Sequence, residues 1–341
     1  MPAEGRRAIH VGLGGQGRNW VNVERRHPGV EVVAYVEPAE AMVGVAVERL
    51  GVPRARIYPT LAQAAANHAA DFVVDVTPPA VHAQVAQEAV ALGLHYLGEK
   101  PLSDDFSAAQ AAVAAARRAG RTLMVAQNYR FGSLPRTTRR VLAEGRVGAP
   151  EVVSVGFYRE WAHAPGTHYV VMPYPLLTDM GIHHFDMLRY VLGREPVRVR
   201  ALTWNPSWGW HKGDAGHAAV VAFEGGLLAT HHSLGSSVGK QSPWNGEWRI
   251  EGPEGSLTWE DDQLWHTRVF PRDRQVREQI PLDPQDRAGQ DAVLAEFLAA
   301  LAEGREPECN GEDNLRSLAL VFAAVTSARE QREVELAELL A

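Results

Sequence analysis

Two short segments of this 341-residue chain hold side chains whose types and spacing suit the movement of a proton. In the first, Lys100 stands between Glu99 and Pro101, just past the apolar run His95–Leu97. A lysine at the C-terminal end of a strand can donate a hydrogen bond to an oxygen that gains negative charge during a reaction. Pro101 stiffens that loop, and Glu99 can pair with the lysine. In the second segment, Asp179, His183 and Asp186 stand at i, i+4 and i+7, which places them on one face of a helix predicted over Thr178–Leu192. Polar groups at helical spacing ordinarily form a solvated face, but Asp, His and Asp beside Tyr190 are unusual company for one. A carboxylate that orients an imidazole and stabilises its charged form leaves the other ring nitrogen to take a proton. The chemistry these groups suit is oxidation of an alcohol. His183 accepts the hydroxyl proton as hydride leaves the same carbon, Asp179 orients His183, and Lys100 supports the reacting oxygen. His184 lies about 100° round the helix, so one of the two histidines serves the reaction and the other packs.

A metal site is the competing use of the histidines, which include His163, His168, His183 and His184. Zinc takes about three or four ligands at close spacing, and no such set is legible, so no metal is expected. His231 and His232 are neighbours on a predicted strand and point to opposite faces. The single cysteine, Cys309, has no reactive signature around it and no intrachain partner, which suits a reducing compartment.

Elements must place these groups. Gly12-Leu13-Gly14-Gly15-Gln16-Gly17 fits G-x-G-x-x-G between a predicted strand, Ala8–Leu13, and a predicted helix, Gln16–Arg26. In that context Gly12 serves the tight turn, Gly14 the approach of a pyrophosphate, and Gly17 close helix–strand packing. The helix N-terminus supplies free N–H groups for phosphates. Glu37 ends the next strand about 20 residues on, where an acid can bind the adenosine ribose. Its carboxylate repels a 2′-phosphate and no arginine follows immediately, which favours NAD over NADP. From Ala8 to Ala126 short apolar runs alternate with helical patterns, which predicts a parallel, doubly wound α/β sheet. From Val197 to Leu282 most segments read as strands with short, Gly- or Pro-marked joins, and two helices close the chain. The expected fold is therefore α/β: a Rossmann domain over 1–128 and an α+β domain over 129–341, built on an open, mostly antiparallel sheet.

The chain resembles the glucose–fructose oxidoreductase/inositol dehydrogenase (Gfo/Idh/MocA) family over nearly its whole length. Thr77-Pro78-Pro79 with His82 resembles the family's loop beside the cofactor, and Glu99-Lys100-Pro101 its E-K-P motif. Asn128-Tyr129-Arg130 resembles the entry to the second domain. Asp179 to Asp186 resembles its D-x-G-x-H-x-x-D helix, and Gly252-Pro253-Glu254-Gly255 a turn in its sheet. The E-K-P and D-x-x-x-H pair, in order and about 80 residues apart, is the specific part. Departures are Glu37 where Asp is frequent, Gly98 where a larger residue is usual, and the doubled His183-His184. The resemblance implies a nicotinamide cofactor at Gly12, Gly14, Gly15, Gln16, Gly17, Glu37, Thr77, Pro78, His82, Glu99, Lys100 and Asn128. It implies a sugar, polyol or cyclitol substrate at Lys100, Tyr129, Arg130, Trp161, Asp179, His183 and Asp186. It also implies a homodimer or homotetramer formed through the second sheet. The reading requires Lys100 and His183 to converge beside the nicotinamide ring.

Two other functions stay open: a glycosidase that uses its NAD only transiently, and a sugar- or nucleotide-sensing regulator on the same scaffold. The segment Trp204-Asn205-Pro206-Ser207-Trp208-Gly209-Trp210, with Trp161, Tyr169, Tyr174 and Trp244, suits either a carbohydrate pocket or the packing of long loops. The net charge is −7 with no clustered Lys or Arg, which argues against nucleic acid. No signal peptide and no run of about 20 apolar residues is legible, so a cytoplasmic protein without a membrane partner is expected.

Overall fold

Alternating short apolar runs and amphipathic stretches fold into two compact units in the computed structural model, which describes residues 5–161, 166–269 and 274–340. The first unit carries six strands: β1 (Arg6–Val11), β2 (Val30–Val36), β3 (Ile57–Tyr58), β4 (Phe72–Asp75), β5 (His95–Gly98) and β6 (Leu123–Val125). They form one parallel sheet in the order β3-β2-β1-β4-β5-β6. Parallel neighbours need crossovers, supplied by α1 (Gly15–Arg26), α2 (Glu40–Leu50), α3 (Leu61–Asn67), α4 (Pro79–Ala91) and α5 (Phe106–Ala119). With helices on both faces, β4 is buried along its whole length, and its sequence Phe-Val-Val-Asp is nearly all apolar. Asp105 starts α5 by accepting from the Ala108 amide at 2.8 Å, and Gly120 at φ 60° ends it.

The chain does not run as two consecutive blocks. Residues 1–128 and 287–315 make the first unit; 129–286 and 316–341 make the second. Helix α8, which the sequence reading placed in the second domain, thus belongs with the first unit. Its apolar face packs on the Rossmann sheet, with Phe297 5.3 Å from Phe72 between ring centres, and its Asp291 meets Arg26 at 3.1 Å.

The second unit is built on nine strands: β7 (Val152–Tyr158), β8 (Pro196–Trp204), β9 (Gly216–Phe223), β10 (Leu228–Leu234), β11 (Glu247–Gly252), β12 (Gly255–Glu260), β13 (Gln263–Val269), β14 (Gln275–Ile280) and β15 (Val334–Glu335). Their order is β14-β13-β12-β11-β7-β10-β9-β8-β15, all antiparallel except β7 with β10. That parallel pair is possible because a long connection separates the two strands; it includes α6's partner helix α7 (Gly181–Leu192) after α6 itself (Ser133–Ala143) has led into β7. Short β15 was not expected. One face of the sheet carries α6 and α7: the Trp259 indole donates to Thr138 Oγ1 at 2.8 Å, and His184 bonds His231. The other face exposes Val152, Leu202, Val220 and Leu228. The remaining helices are α8 (Gly289–Glu303), α9 (Gly311–Glu330), which contains the last cut between units, and α10 (Ala337–Leu340). Both sheets match the fold class read from the sequence. No helix among the described residues is long and apolar enough to cross a membrane.

Candidate active site

On the first unit the glycine turn follows β1. Gly12 has φ 97°, and a Cβ there would lie 2.7 Å from the Val76 carbonyl oxygen. A Cβ on Gly17 would lie 2.0 Å from the Gly12 carbonyl, so α1 approaches the turn only because both residues lack side chains. Gly14 and Gly15 differ: a Cβ on either would meet nothing within 4 Å. No side chain caps the N-terminus of α1. The free amides and open space fit the diphosphate of a dinucleotide. Gln16 is exposed at this turn, its Oε1 accepting from Asn19 at 2.9 Å.

Beneath the turn, His10 and Glu24 form a fully buried pair that the sequence reading passed over. His10 Nδ1 lies 2.8 Å from Glu24 Oε2, and Nε2 lies 2.8 Å from the Gly12 carbonyl. Burial alone would lower the His10 pKa; the charge and hydrogen bond of Glu24 outweigh it and raise it. The available signal was a histidine inside an otherwise apolar strand. Glu37 accepts from the Leu13 amide at 2.9 Å and the Ala39 amide at 3.0 Å. One bond on each oxygen leaves lone pairs over for a ribose diol.

Asp75 organises the loops after β4 and β5. It accepts from the Thr77 amide and hydroxyl at 3.0 and 2.7 Å, and from the Tyr96 hydroxyl at 2.8 Å. Burial, and then Asp75, push the Tyr96 phenol well above its ordinary value. The unusual Gly98 has its reason here, since a Cβ would fall 2.2 Å from the Tyr96 oxygen. Pro78 precedes α4 and is exposed. His82 is 1% exposed, with its ring nitrogens 2.7 Å from the Pro101 carbonyl and 2.5 Å from the Thr77 carbonyl. It fastens the two loops together. Glu99 accepts from the Trp20 indole at 2.7 Å and from the Lys100 amide at 3.1 Å. Lys100 is half-buried and joined to Pro101 by a cis peptide. Asn128 opens a short helical turn just beyond β6. Before it, Gln127 is buried with neither amide atom partnered among the described residues. This carboxamide at a strand end is a further residue the sequence reading missed.

On the second unit, Asp179 and His183 do not share one regular helix. Leu176–Met180 forms a π-helical turn, with the Gly181 amide bonded to the Leu176 carbonyl, and α7 follows. Such widened turns re-aim side chains and often mark functional sites. Asp179 is half-buried and His183 is 5% exposed. Tyr129 stacks on the His183 ring at 4.1 Å and 15°. Burial first, and then the charge of Asp179, raise both Tyr129 and Tyr169 to about 12. The charge of Asp179 thus reaches both Tyr129 and Tyr169, and His183 joins this cluster by stacking on Tyr129. Trp161 is buried beside it, 4.3 Å from Tyr169.

Every residue of α7 from Gly181 to Val191 is buried, so its polar side chains do not form a solvated face. Asp186 and Arg130 satisfy each other. Arg130 Nε donates to Asp186 Oδ2 at 2.8 Å and its Nη2 donates to Oδ1, where Ser317 also donates at 2.8 Å. Arg189 continues the network to Ser317 at 2.7 Å and to Glu195. At 4% and 1% exposed, Arg130 and Asp186 tie α7 to the chain before α6 and to α9.

His184 lies in a ladder of buried imidazoles. Its Nε2 is 3.0 Å from the Trp244 carbonyl, which can only accept, so Nε2 carries the proton. His184 Nδ1 must then accept from His231 Nε2 at 2.9 Å. His231 Nδ1 accepts from His217 Nε2 at 2.8 Å, and His217 Nδ1 accepts from the Ser233 hydroxyl at 2.8 Å. One carbonyl thus sets every tautomer. Burial lowers all three, His184 to about 4, His217 to about 3 and His231 well below its ordinary value. Because the folded values lie below the unfolded one, the ladder's stability is complete above about pH 6.5 and lost as pH falls below it. Unfolding free energy should fall between about pH 6.5 and pH 4 by up to ~1.4 kcal/mol per pH unit for each histidine. His217→Gln should remove about one proton from the uptake measured by urea unfolding across that range. An unchanged slope would show that the ladder does not stay neutral. Among the described residues no group of three His, Cys, Asp or Glu side chains is placed to hold a metal; His163 lies outside the described residues.

Two sequence profiles match the chain. One, described as an oxidoreductase family with an NAD-binding Rossmann fold, covers residues 6–127; the other, a GFO/IDH/MocA C-terminal domain, covers 136–258. The chain belongs to the Gfo/Idh/MocA family. It is an NAD-binding oxidoreductase of dehydrogenase type. D-apiose dehydrogenase of Paraburkholderia graminis is 29% identical over 96% of this chain and 89% of its own. Inositol 2-dehydrogenase of Rhizobium meliloti is 29% identical over 78% and 81%. An Agrobacterium radiobacter oxidoreductase, solved with NAD+, L-tartaric acid and magnesium, shares the fold at a TM-score of 0.86. It is 22% identical over 98% of this chain and 99% of its own.

Proposed function

We propose that this Gfo/Idh/MocA member oxidises a secondary hydroxyl of a sugar, polyol or cyclitol, with NAD as the hydride acceptor. The observation that carries this is the Asp179, His183 and Tyr129 cluster at a π turn, in a chain that also holds an uncapped glycine turn and a half-buried Lys100. Relatives named for apiose and inositol support the substrate class. When bound, the nicotinamide supplies the hydride acceptor. His183 takes the hydroxyl proton, Asp179 orients and stabilises the imidazole, and Lys100 donates a hydrogen bond to the oxygen as its charge develops. Gly14, Gly15 and the first amides of α1 hold the diphosphate, and Glu37 the adenosine ribose.

The test is a screen of sugars, polyols and cyclitols with NAD and with NADP, following absorbance of the reduced cofactor. Net release of reduced cofactor with a member of these classes is expected, with kcat/KM for NAD at least about tenfold above that for NADP. Glu37→Gln should narrow that ratio by removing the charge that repels a 2′-phosphate. An unaltered ratio would take the ribose role from Glu37, and no turnover with any candidate would end the dehydrogenase reading. The exposed face with Val152, Leu202, Val220 and Leu228 supports a second copy of the chain as partner; sedimentation at a single 37.3 kDa mass would remove it.

A further inference from the structure

We propose that the loop after β8 forms a binding pocket for a neutral sugar ring on the second unit. The inference rests on the sugar-oxidoreductase reading for its ligand class, and its test does not use turnover. The pocket has a volume of about 380 Å³, within the range of small-molecule sites, and is lined by Trp208, Trp210, Glu160, Ser236, Ser237, Val238 and Gln241.

The tryptophans are held in place without being buried. Trp208 is 59% exposed, yet its indole N–H donates to the Ser236 carbonyl at 3.0 Å, which fixes the ring by its polar edge while most of the side chain stays open. Trp210 is half-buried and stacks on His211 at 3.6 Å and 24°. The loop between them is rigid. Gly209 closes a turn onto Pro206 at 2.8 Å, where a Cβ would lie 2.4 Å from Asn205 Oδ1. Asn205 donates to the His211 carbonyl at 2.7 Å, and Thr203 donates to Asp214 at 2.7 Å across the loop's base. The Lys212 and Asp214 amides then dock on the Val170 and Pro173 carbonyls, each at 2.8 Å. An exposed aromatic platform with this much framing is pre-organised for a partner rather than left over from packing.

Apart from the exposed Val238, the rest of the lining is polar. The Glu160 amide donates to Gln241 Oε1 at 2.7 Å, and Gln241 Nε2 donates to the Ser237 carbonyl at 3.3 Å, so the wall is tied to itself. The Glu160 side chain is exposed. The Ser236 hydroxyl is buried and has no partner among the described residues. Partly exposed indoles in one pocket with a carboxylate and hydroxyls match a pyranose, which has one C–H face and a rim of hydroxyl groups. No lysine or arginine lines the pocket, and Glu160 repels anions, so uronates and sugar phosphates are the wrong charge.

The experiment titrates methyl glucopyranoside, methyl galactopyranoside, methyl mannopyranoside and glucuronate into the full chain, following tryptophan fluorescence. A saturable signal with at least one neutral glycoside is expected. Trp208→Ala should weaken it roughly tenfold or more, Trp208→Phe less, and Trp208 is exposed enough for both variants to fold. Glucuronate should bind about tenfold more weakly than the neutral glycoside, with the gap closing in Glu160→Gln. No saturable signal, wild-type affinity in Trp208→Ala, or equal affinity for glucuronate would each overturn the proposal. Failure of the dehydrogenase reading would look different, because no cofactor would be reduced while these titrations still saturated.

Discussion

Replacing His183 by Asn should lower kcat about 10²- to 10⁴-fold and remove the acid limb of the kcat/KM profile that imidazole protonation produces. The π turn sets Asp179 and then His183 at the head of α7. Tyr129 clamps one face of the ring at 4.1 Å, so the imidazole has little freedom to swing. Its loss removes the proton acceptor but not the framework, because α7 is held by Arg130–Asp186 and by the His184 ladder. Cofactor affinity, read by fluorescence titration, should therefore stay at the wild-type value, since the glycine turn belongs to the first unit. Asp179→Asn should cost less in kcat, because it removes orientation and charge while leaving the ring. A His183→Asn variant with an ordinary rate and pH profile would refute the assignment of the base.

The sequence carried the first unit almost completely, because its signals are local. A parallel sheet buried on both faces reads as short apolar runs, and the glycine turn has no side-chain alternative at Gly12 and Gly17. The second sheet was legible strand by strand, but the parallel pairing of β7 with β10 was not, since periodicity says nothing about which distant strand is the neighbour. The return of residues 287–315 to the first unit was hidden for the same reason. At the site, residue types were legible and their partners were not. A heptad-like spacing of Asp179, His183 and Asp186 reads identically whether Asp186 faces a ligand or an arginine 56 positions earlier. The spacing also cannot reveal a π turn. His10 and Glu24 went unseen because each was absorbed into an apolar or amphipathic pattern, although this hydrogen-bonded pair with no exposure is what supports the turn's Gly12 carbonyl.

Asp186→Ala should destabilise the protein by about 3–5 kcal/mol, the usual loss when one partner of a buried ion pair is removed. Three donors converge on this carboxylate, from Arg130 twice and from Ser317, and Ser317 in turn holds Arg189. Removing it leaves a guanidinium that is 4% exposed with its main counter-charge gone. Arg130 cannot reach water without leaving the Tyr190 ring, which it overlies at 5.4 Å. Replacing the pair together, as Arg130→Met with Asp186→Leu, should recover much of the loss, because no buried charge remains. Thermal unfolding separates this from the sequence-based expectation that both residues touch substrate. A direct contact would raise KM in Asp186→Asn with the melting temperature unchanged. A support for α7 would lower the melting temperature while KM stayed near the wild-type value, and kcat would fall only as far as His183 loses its place.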